Sequence, residues 1–372
     1  MIARRPDDQR SADRLRQLVE TESPTGHDAG IRDCLDLIDD WASPAMGTRG
    51  QRRIVDGVEH LYWPAREPDG VLLLGHIDTV WPLGTLDDWA YTEHDGRMTG
   101  PGVFDMKSGL VAAVDALELL CDTDRVAFLV TADEEQGSKT SRNLVEEAAR
   151  AVRAVLVIEP SLDGALKVAR RGGSIYRIAF EGIAAHAGLE PELGANALIE
   201  ASHQVLAVGL IANDAVGTTV TPTVTRAGST VNTVPANAEV HLDVRAWSVD
   251  ELERVNCRLA ALTTVDPRVT MTVHGGINRP PLEESAALGL FALAQEVAAE
   301  VGLPPLTCAS VGGASDGNFT AALGIPTLDG LGPLGAGAHA RGEWVDLASM
   351  DERAVLIAGL VRRIAQPTRT QV

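Results

Sequence analysis

Three short apolar runs constrain this chain more than any other feature, because each stops at residues that can do chemistry. Val71-Leu72-Leu73-Leu74 ends at Gly75-His76-Ile77-Asp78. Val126 to Val130 ends in Thr131-Ala132-Asp133-Glu134-Glu135, and Val152 to Ile158 ends at Glu159-Pro160-Ser161. Helical stretches over 107–121 and 138–151 separate the runs, the pattern of a mostly parallel sheet buried on both faces. Ligands of such sheets sit at the carboxyl ends of the strands, where these acids and His76 fall. Amphipathic helices over 8–20 and 28–42 come first, broken by Ser23-Pro24-Thr25-Gly26.

From Gly172 to Gly276 the rhythm changes. Ser174–Phe180, Thr219–Arg226, Glu239–Ala246 and Arg268–Val273 read as strands, and Asn196–Leu210 and Val249–Leu262 as helices. The order β-α-β-β-α-β predicts a ferredoxin-like unit, with a four-stranded sheet and two helices on one face. Helix and strand patterns of the first kind resume at 285–301 and 325–328. The expected fold is therefore α/β, a mostly parallel-sheet domain over 1–171 and 279–372 with a second domain inserted at 172–278.

Composition closes off several functions. The formal charge is −20, with no basic stripe to displace phosphate counterions, so a nucleic-acid partner is not expected. No window approaches the roughly 20 apolar residues of a membrane span. The opening MIARRPDDQR has no apolar stretch after its arginines, unlike a secretory signal. Cys34, Cys121, Cys257 and Cys308 form no CxxC pair, so buried free thiols in a reducing cytoplasm are expected.

The chemistry lies in five places. His76 and Asp78, two apart at a strand end, share a face, so the carboxylate can brace a metal-binding imidazole. Asp105 sits in Gly100-Pro101-Gly102-Val103-Phe104-Asp105-Met106-Lys107, a rigid turn that could aim both oxygens at two cations; alternatively it caps the next helix. Consecutive carboxylates at 133–135 repel unless a cation lies between them. One can ligate while its neighbour acts as general base, although a solvated acidic turn at a helix start reads the same way. Glu159 adds a third acidic strand end, and His339 a second imidazole in Gly335-Ala336-Gly337-Ala338-His339. Mixed nitrogen and oxygen ligation suits two divalent ions, zinc first, with cobalt or manganese as alternatives.

In GHIDTV, GPGVFDMKSG, TADEEQGS, VIEPS, AAHAG and GAGAHARGEWVDL, in that order over residues 75 to 347, the chain resembles the M20 metallopeptidases. That family includes glutamate carboxypeptidases, acetylornithine and succinyl-diaminopimelate deacylases, and aminoacylases. The resemblance implies that His76, Asp105 and Glu159 hold one metal and Asp105, Glu135 and His339 the other. It makes Glu134 the general base and Asp78 the brace on His76, and it implies a cis peptide after Asp105. It also implies that the inserted domain is a lid through which the chain forms a homodimer. His186 would then stabilise the oxyanion in the partner subunit's site, Asn232 would contact substrate, and Arg245 would grip an α-carboxylate. Met-Lys after the bridging aspartate, and SDGNFTAALGIPTLDGLGPLGAGAH, lean toward the glutamate carboxypeptidases. The expected substrate is a small molecule or peptide with a free carboxylate.

Rival readings exist. Gly313-Ala314-Ser315-Asp316-Gly317 matches a nucleophile elbow, with Asp329 and His339 following in serine-hydrolase order. That reading leaves the acidic strand ends without a task. Gly330 to Gly335 matches G-x-G-x-x-G, but no helix pattern follows it. A non-catalytic binding protein would be expected to have lost Glu134 or a ligand, and both are intact.

Overall fold

The computed structural model describes residues 8–366, apart from the side chain of Asp8. The chain divides into two compact units, one of Arg170–Glu283 with Gly312–Ala314 and one of the rest. The second unit thus takes in residues 170–171 and 279–283 at its two boundaries, and also 312–314, which were assigned above to the closing part of the first domain. For 312–314 the reason is local: Arg170 Nη1 donates to the carbonyls of Gly313, at 3.1 Å, and Ala314, at 3.3 Å.

The first unit is built on a six-stranded sheet ordered Gln51–Val55, Val58–Trp63, Val126–Thr131, Gly70–His76, Val152–Val157 and Thr327–Leu328. The last four strands are parallel, and the first two form a hairpin whose second strand, Val58–Trp63, pairs antiparallel with Val126–Thr131. Gly70–His76 lies between two parallel neighbours, and each of its residues is buried, as an unbroken apolar run requires. The register decides where the chemistry falls. His76 pairs with Thr131 and Leu74 with Val157, so the segments after all three strands emerge at one level. Ile77 N–H donates to Thr131 O and Ile158 N–H to Leu74 O, which carries the alignment past the strand ends.

Ser108–Glu118 is a helix with ten buried residues, apolar nearly all round, and it lies inside the unit against Leu347–Ala365. Gly109 permits its approach to the sheet: a Cβ there would stand 2.1 Å from the carbonyl oxygen of Ile158. The hairpin over 51–63 and the helix Leu347–Ala365 are absent from the sequence-based expectation. No helix among the described residues is long and apolar enough to cross a membrane. The four cysteines are free, but only Cys34 is buried; Cys121, Cys257 and Cys308 are exposed, contrary to expectation. Cys257 and Cys308 lie on outward faces of a helix and a strand, and Cys121 lies in the loop after Ser108–Glu118.

The second unit has a four-stranded antiparallel sheet ordered Thr219–Ala227, Asn237–Ala246, Gly172–Glu181, Thr270–Arg279. Its helices are Ala197–Gly209 and Val249–Ala260. Ala238, Val240, Leu242, Val244 and Ala246 alternate inward and share one core with Ala201 and Val208 of the first helix and Leu252 and Val255 of the second. Both helices therefore cover one face. Asn196 caps the first through Leu198 and Ile199 N–H, and Ser248 caps the second through Glu251 N–H.

Candidate metal centre

Two imidazoles flank one carboxylate at the carboxyl edge of the six-stranded sheet. His76 Nε2 lies 3.5 Å from Asp105 Oδ1 and 3.5 Å from Glu159 Oε1. His339 Nε2 lies 3.4 Å from Asp105 Oδ2 and 3.2 Å from Glu135 Oε2. Asp105 thus turns one oxygen to each histidine. A donor atom of Glu134 also lies within 4.8 Å of donors of His76 and Glu159.

His339 Nε2 is within hydrogen-bond reach of both Glu135 oxygens, at 3.2 Å, whereas the three spacings to Asp105 and Glu159 are long for hydrogen bonds. They are the separations of atoms that share a cation: two ligands roughly 2.0–2.2 Å from a tetrahedral zinc stand about 3.3–3.6 Å apart. Asp105 Oδ1 is sealed from solvent and has no hydrogen-bond partner, an omission that a buried carboxylate oxygen tolerates poorly. The donor set fits divalent metals.

The carboxylates favour a positive charge among them, whether a proton on an imidazole or a bound cation. The carboxylates of Asp105 and Glu135 push the pKa of His339 up to about 10, against its partial burial. Burial opposes a charge on His76, yet Asp105, Asp78 and Glu159 hold its pKa well above the usual imidazole value. Burial would raise the carboxyl of Asp105, but His339 and His76 hold it below the ordinary range. Each group is therefore poised for a neighbour of opposite charge.

The brace is more precise than a His-x-Asp spacing suggests. Asp78 is fully buried, and its Oδ1 lies 3.4 Å from His76 Nδ1. The closer partner of that nitrogen is the main-chain carbonyl of Asp78, at 2.9 Å. The carboxylate itself accepts Glu134 N–H and Glu135 N–H, both at 3.2 Å, and the Thr25 hydroxyl at 2.7 Å. Asp78 therefore orients His76 and also pins the turn carrying Glu134 and Glu135. Thr25, read above only as part of a chain break, joins the site.

Glu343 escapes the sequence reading. Its buried carboxylate accepts N–H groups of Phe104 at 2.7 Å, Asp105 at 2.8 Å and Gly102 at 3.1 Å, and the Trp81 indole N–H at 3.1 Å. Burial pushes its pKa up to about 7, against those donors. It holds the loop that presents Asp105, whose peptide to Met106 is cis. The only available signal was one more acid four residues after His339. His339 itself takes a left-handed backbone, φ 61°, which imidazole side chains adopt more readily than most.

Ser315 is fully buried, and its hydroxyl donates to Asp329 Oδ2 at 2.6 Å while accepting Gly317 N–H at 3.1 Å. His339 belongs to the carboxylate cluster, so the Ser315 triad is not assembled. The glycines from 330 to 335 are followed by the short strand Gly335–Ala336, with no helix at that point.

The remaining predicted residues lie in the second unit. Ala187 N–H donates to Asn232 O and Val234 N–H to Ala185 O, which pairs the segments carrying His186 and Asn232. His186 Nδ1 accepts Gly188 and Leu189 N–H, leaving Nε2 to carry the proton. Arg245 is held as a fork by Asp243, Nε to Oδ1 at 2.9 Å and Nη2 to Oδ2 at 2.8 Å.

A parallel sheet whose strand ends gather two imidazoles and several carboxylates around a shared aspartate defines a metal-dependent hydrolase. The profile of peptidase family M20/M25/M40 matches residues 72–363, and the chain belongs to that family. It is 30% identical over 310 residues to carboxypeptidase G2 of Pseudomonas sp. strain RS-16, covering 78% of this chain and 73% of that one. It is 27% identical over 391 residues to succinyl-diaminopimelate desuccinylase of Delftia acidovorans, covering 95% and 97%. Aminopeptidase PepT from Bacillus cereus shares the fold, with a TM-score of 0.78 at 21% identity, covering 97% of this chain and 99% of that one.

Proposed function

We propose that this M20 hydrolase cleaves an amide bond to release an amino acid that carries a free α-carboxylate, in the manner of a glutamate carboxypeptidase. The observation that carries the two-metal part is Asp105, with one oxygen toward His76 and the other toward His339. His76, Asp105 and Glu159 hold one ion, and Asp105, Glu135 and His339 the other; zinc suits the set, with cobalt or manganese as alternatives. Two bound ions supply an acidified water and a polarised acyl carbonyl. Glu134, beside His76 and Glu159, takes the proton of the attacking water and returns it to the leaving amine. Asp78 keeps Glu134 in place through its main-chain N–H. Arg245, whose Nε and Nη2 are held by Asp243, grips the α-carboxylate of a small-molecule or peptide substrate with its remaining Nη1 edge. His186 offers Nε2–H to the oxyanion, and Asn232 contacts substrate.

The second unit serves as lid and as the face of a homodimer. Ile199, Leu206 and Leu210 recur along one side of the Ala197–Gly209 helix and its end, and all three are exposed. The free thiols and the absence of a long apolar helix among the described residues are in keeping with a cytoplasmic site of action.

A second reading, an N-acyl-amino-acid deacylase, draws on the desuccinylase likeness, which spans more of the chain than the likeness to carboxypeptidase G2. One panel separates the two: N-acyl glutamates, N-succinyl-diaminopimelate, N-acetylornithine, and dipeptides with and without a free carboxylate, each with and without chelator. Chelator-sensitive cleavage confined to free α-carboxylates supports the main reading, and the best substrate chooses between carboxypeptidase and deacylase. Chelator-resistant cleavage overturns it.

A further inference from the structure

In the first unit, a cavity of about 280 Å³ lies beside the N-terminal turns of the Leu347–Ala365 helix. Its lining is of three kinds. Leu303, Leu306, Leu334 and Leu356 form an apolar wall. Asp163, Asp346 and Glu352 bring acids, two of them exposed and Asp346 half-buried with one oxygen on Ser349 N–H. Arg353 brings a single guanidinium, only 6% exposed.

That guanidinium is under-used. Nη2 donates to Gly164 O at 2.5 Å, and its other N–H groups meet no acceptor among the described residues. Arg353 lines the cavity. Burying an arginine with one partner leaves most of its desolvation uncompensated. Burial lowers its pKa to about 10, the mark of a cation short of counter-charge.

We propose that this cavity binds a free α-amino acid with an apolar side chain. Arg353 takes the carboxylate, for which a planar fork is matched. The acids take the ammonium, and the leucines take the side chain. A plain carboxylic acid would meet Arg353 but be repelled by the three acids, and a plain amine would meet the reverse, so only a zwitterion uses the whole lining. The volume lies below the roughly 300–1,000 Å³ of cavities that take drug-sized ligands, which limits the occupant to one small molecule. The site adjoins the metal centre through the chain. Leu334 opens the stretch leading to His339, and Asp346 N–H donates to Leu334 O at 2.8 Å to close it. The occupant is of the chemical class that the proposed hydrolysis releases, but its binding does not rest on that reading.

Calorimetry with L-leucine tests it, with 4-methylpentanoate and isoamylamine as probes lacking one charge. Wild-type protein should bind L-leucine at least tenfold more tightly than either. Arg353→Met should lose that preference, and Leu306→Trp, at a half-buried wall position, should block the cavity without touching the charge. Arg353→Lys checks folding, and thermal unfolding is recorded for each variant. Failure of wild type to bind L-leucine overturns the proposal, as does equal binding by folded Arg353→Met and Leu306→Trp. Either result leaves the chelator-sensitive cleavage assay unaffected, so the two readings fail separately.

Discussion

Replacing Glu343 is the most informative perturbation of the centre, because its carboxylate touches no predicted metal ligand by side chain yet accepts four N–H groups around one. The donors are the main-chain N–H groups of Gly102, Phe104 and Asp105 and the indole of Trp81. An unpaired buried donor costs about 1–3 kcal/mol. Glu343→Ala strands all four, and a water in the vacated space can satisfy about two, so the net loss is about 2–6 kcal/mol. Glu343→Gln should be nearly as harmful. Its one carbonyl can keep Phe104 and Asp105, which share Oε1, but its amide would face Gly102 and Trp81, donor against donor. Both variants should unfold at lower denaturant, and where folded they should bind Co²⁺ about 10–100-fold more weakly, because the Asp105 loop loses its anchor. Calorimetric titration with Co²⁺ measures the affinity, and urea denaturation the stability. Wild-type metal affinity in Glu343→Gln would refute the reasoning, since the amide would then be accommodated where only acceptors are expected.

Glu134→Gln should lower kcat by roughly 10²–10⁴ while metal content, read by elemental analysis, stays at the wild-type level. A parallel loss of metal would make Glu134 a ligand rather than a base. Ser315→Ala should cost about 1–3 kcal/mol of stability, through the lost bond to Asp329, and leave kcat within a few-fold; abolished turnover in a folded variant would restore the nucleophile reading. His60 supplies a pH test. It is buried, its Nδ1 accepts Ala132 N–H, and burial lowers its pKa, so the unfolded chain binds the proton more readily. Its contribution is therefore complete above about pH 6.5 and shrinks as pH falls below it. Urea midpoints between pH 5 and 8 should fall less steeply on the acid side for His60→Asn than for wild type, and parallel curves would sink the assignment.

Much of the centre was legible because chemistry sits where local patterns end. His76, Glu135 and Glu159 each follow an apolar run, and Asp105 sits in a glycine- and proline-rich turn. Glu343 was not legible, because its partners are main-chain N–H groups more than two hundred residues earlier, and such contacts leave no periodicity in sequence. Thr25 escaped for the same reason, since a hydroxyl's partner is set by the fold. The 51–63 hairpin and the Leu347–Ala365 helix went unpredicted, one exposed along much of its first strand, the other carrying charges through an otherwise apolar sequence.

By itself the sequence determined the buried strands, the helices between them, the order of the second unit's elements, and which residue types stand at each strand end. Those follow from periodicity and hydrophobicity, which act within a few residues. Tertiary structure alone decided that His76 stands beside Thr131 while Leu74 stands beside Val157, the register that brings three strand ends to one level. It alone set His339 against Asp105 and Glu135, and Ser315 against Asp329 rather than against an imidazole. Strand register and loop docking depend on side chains far apart in the chain packing at once, and no local pattern encodes that.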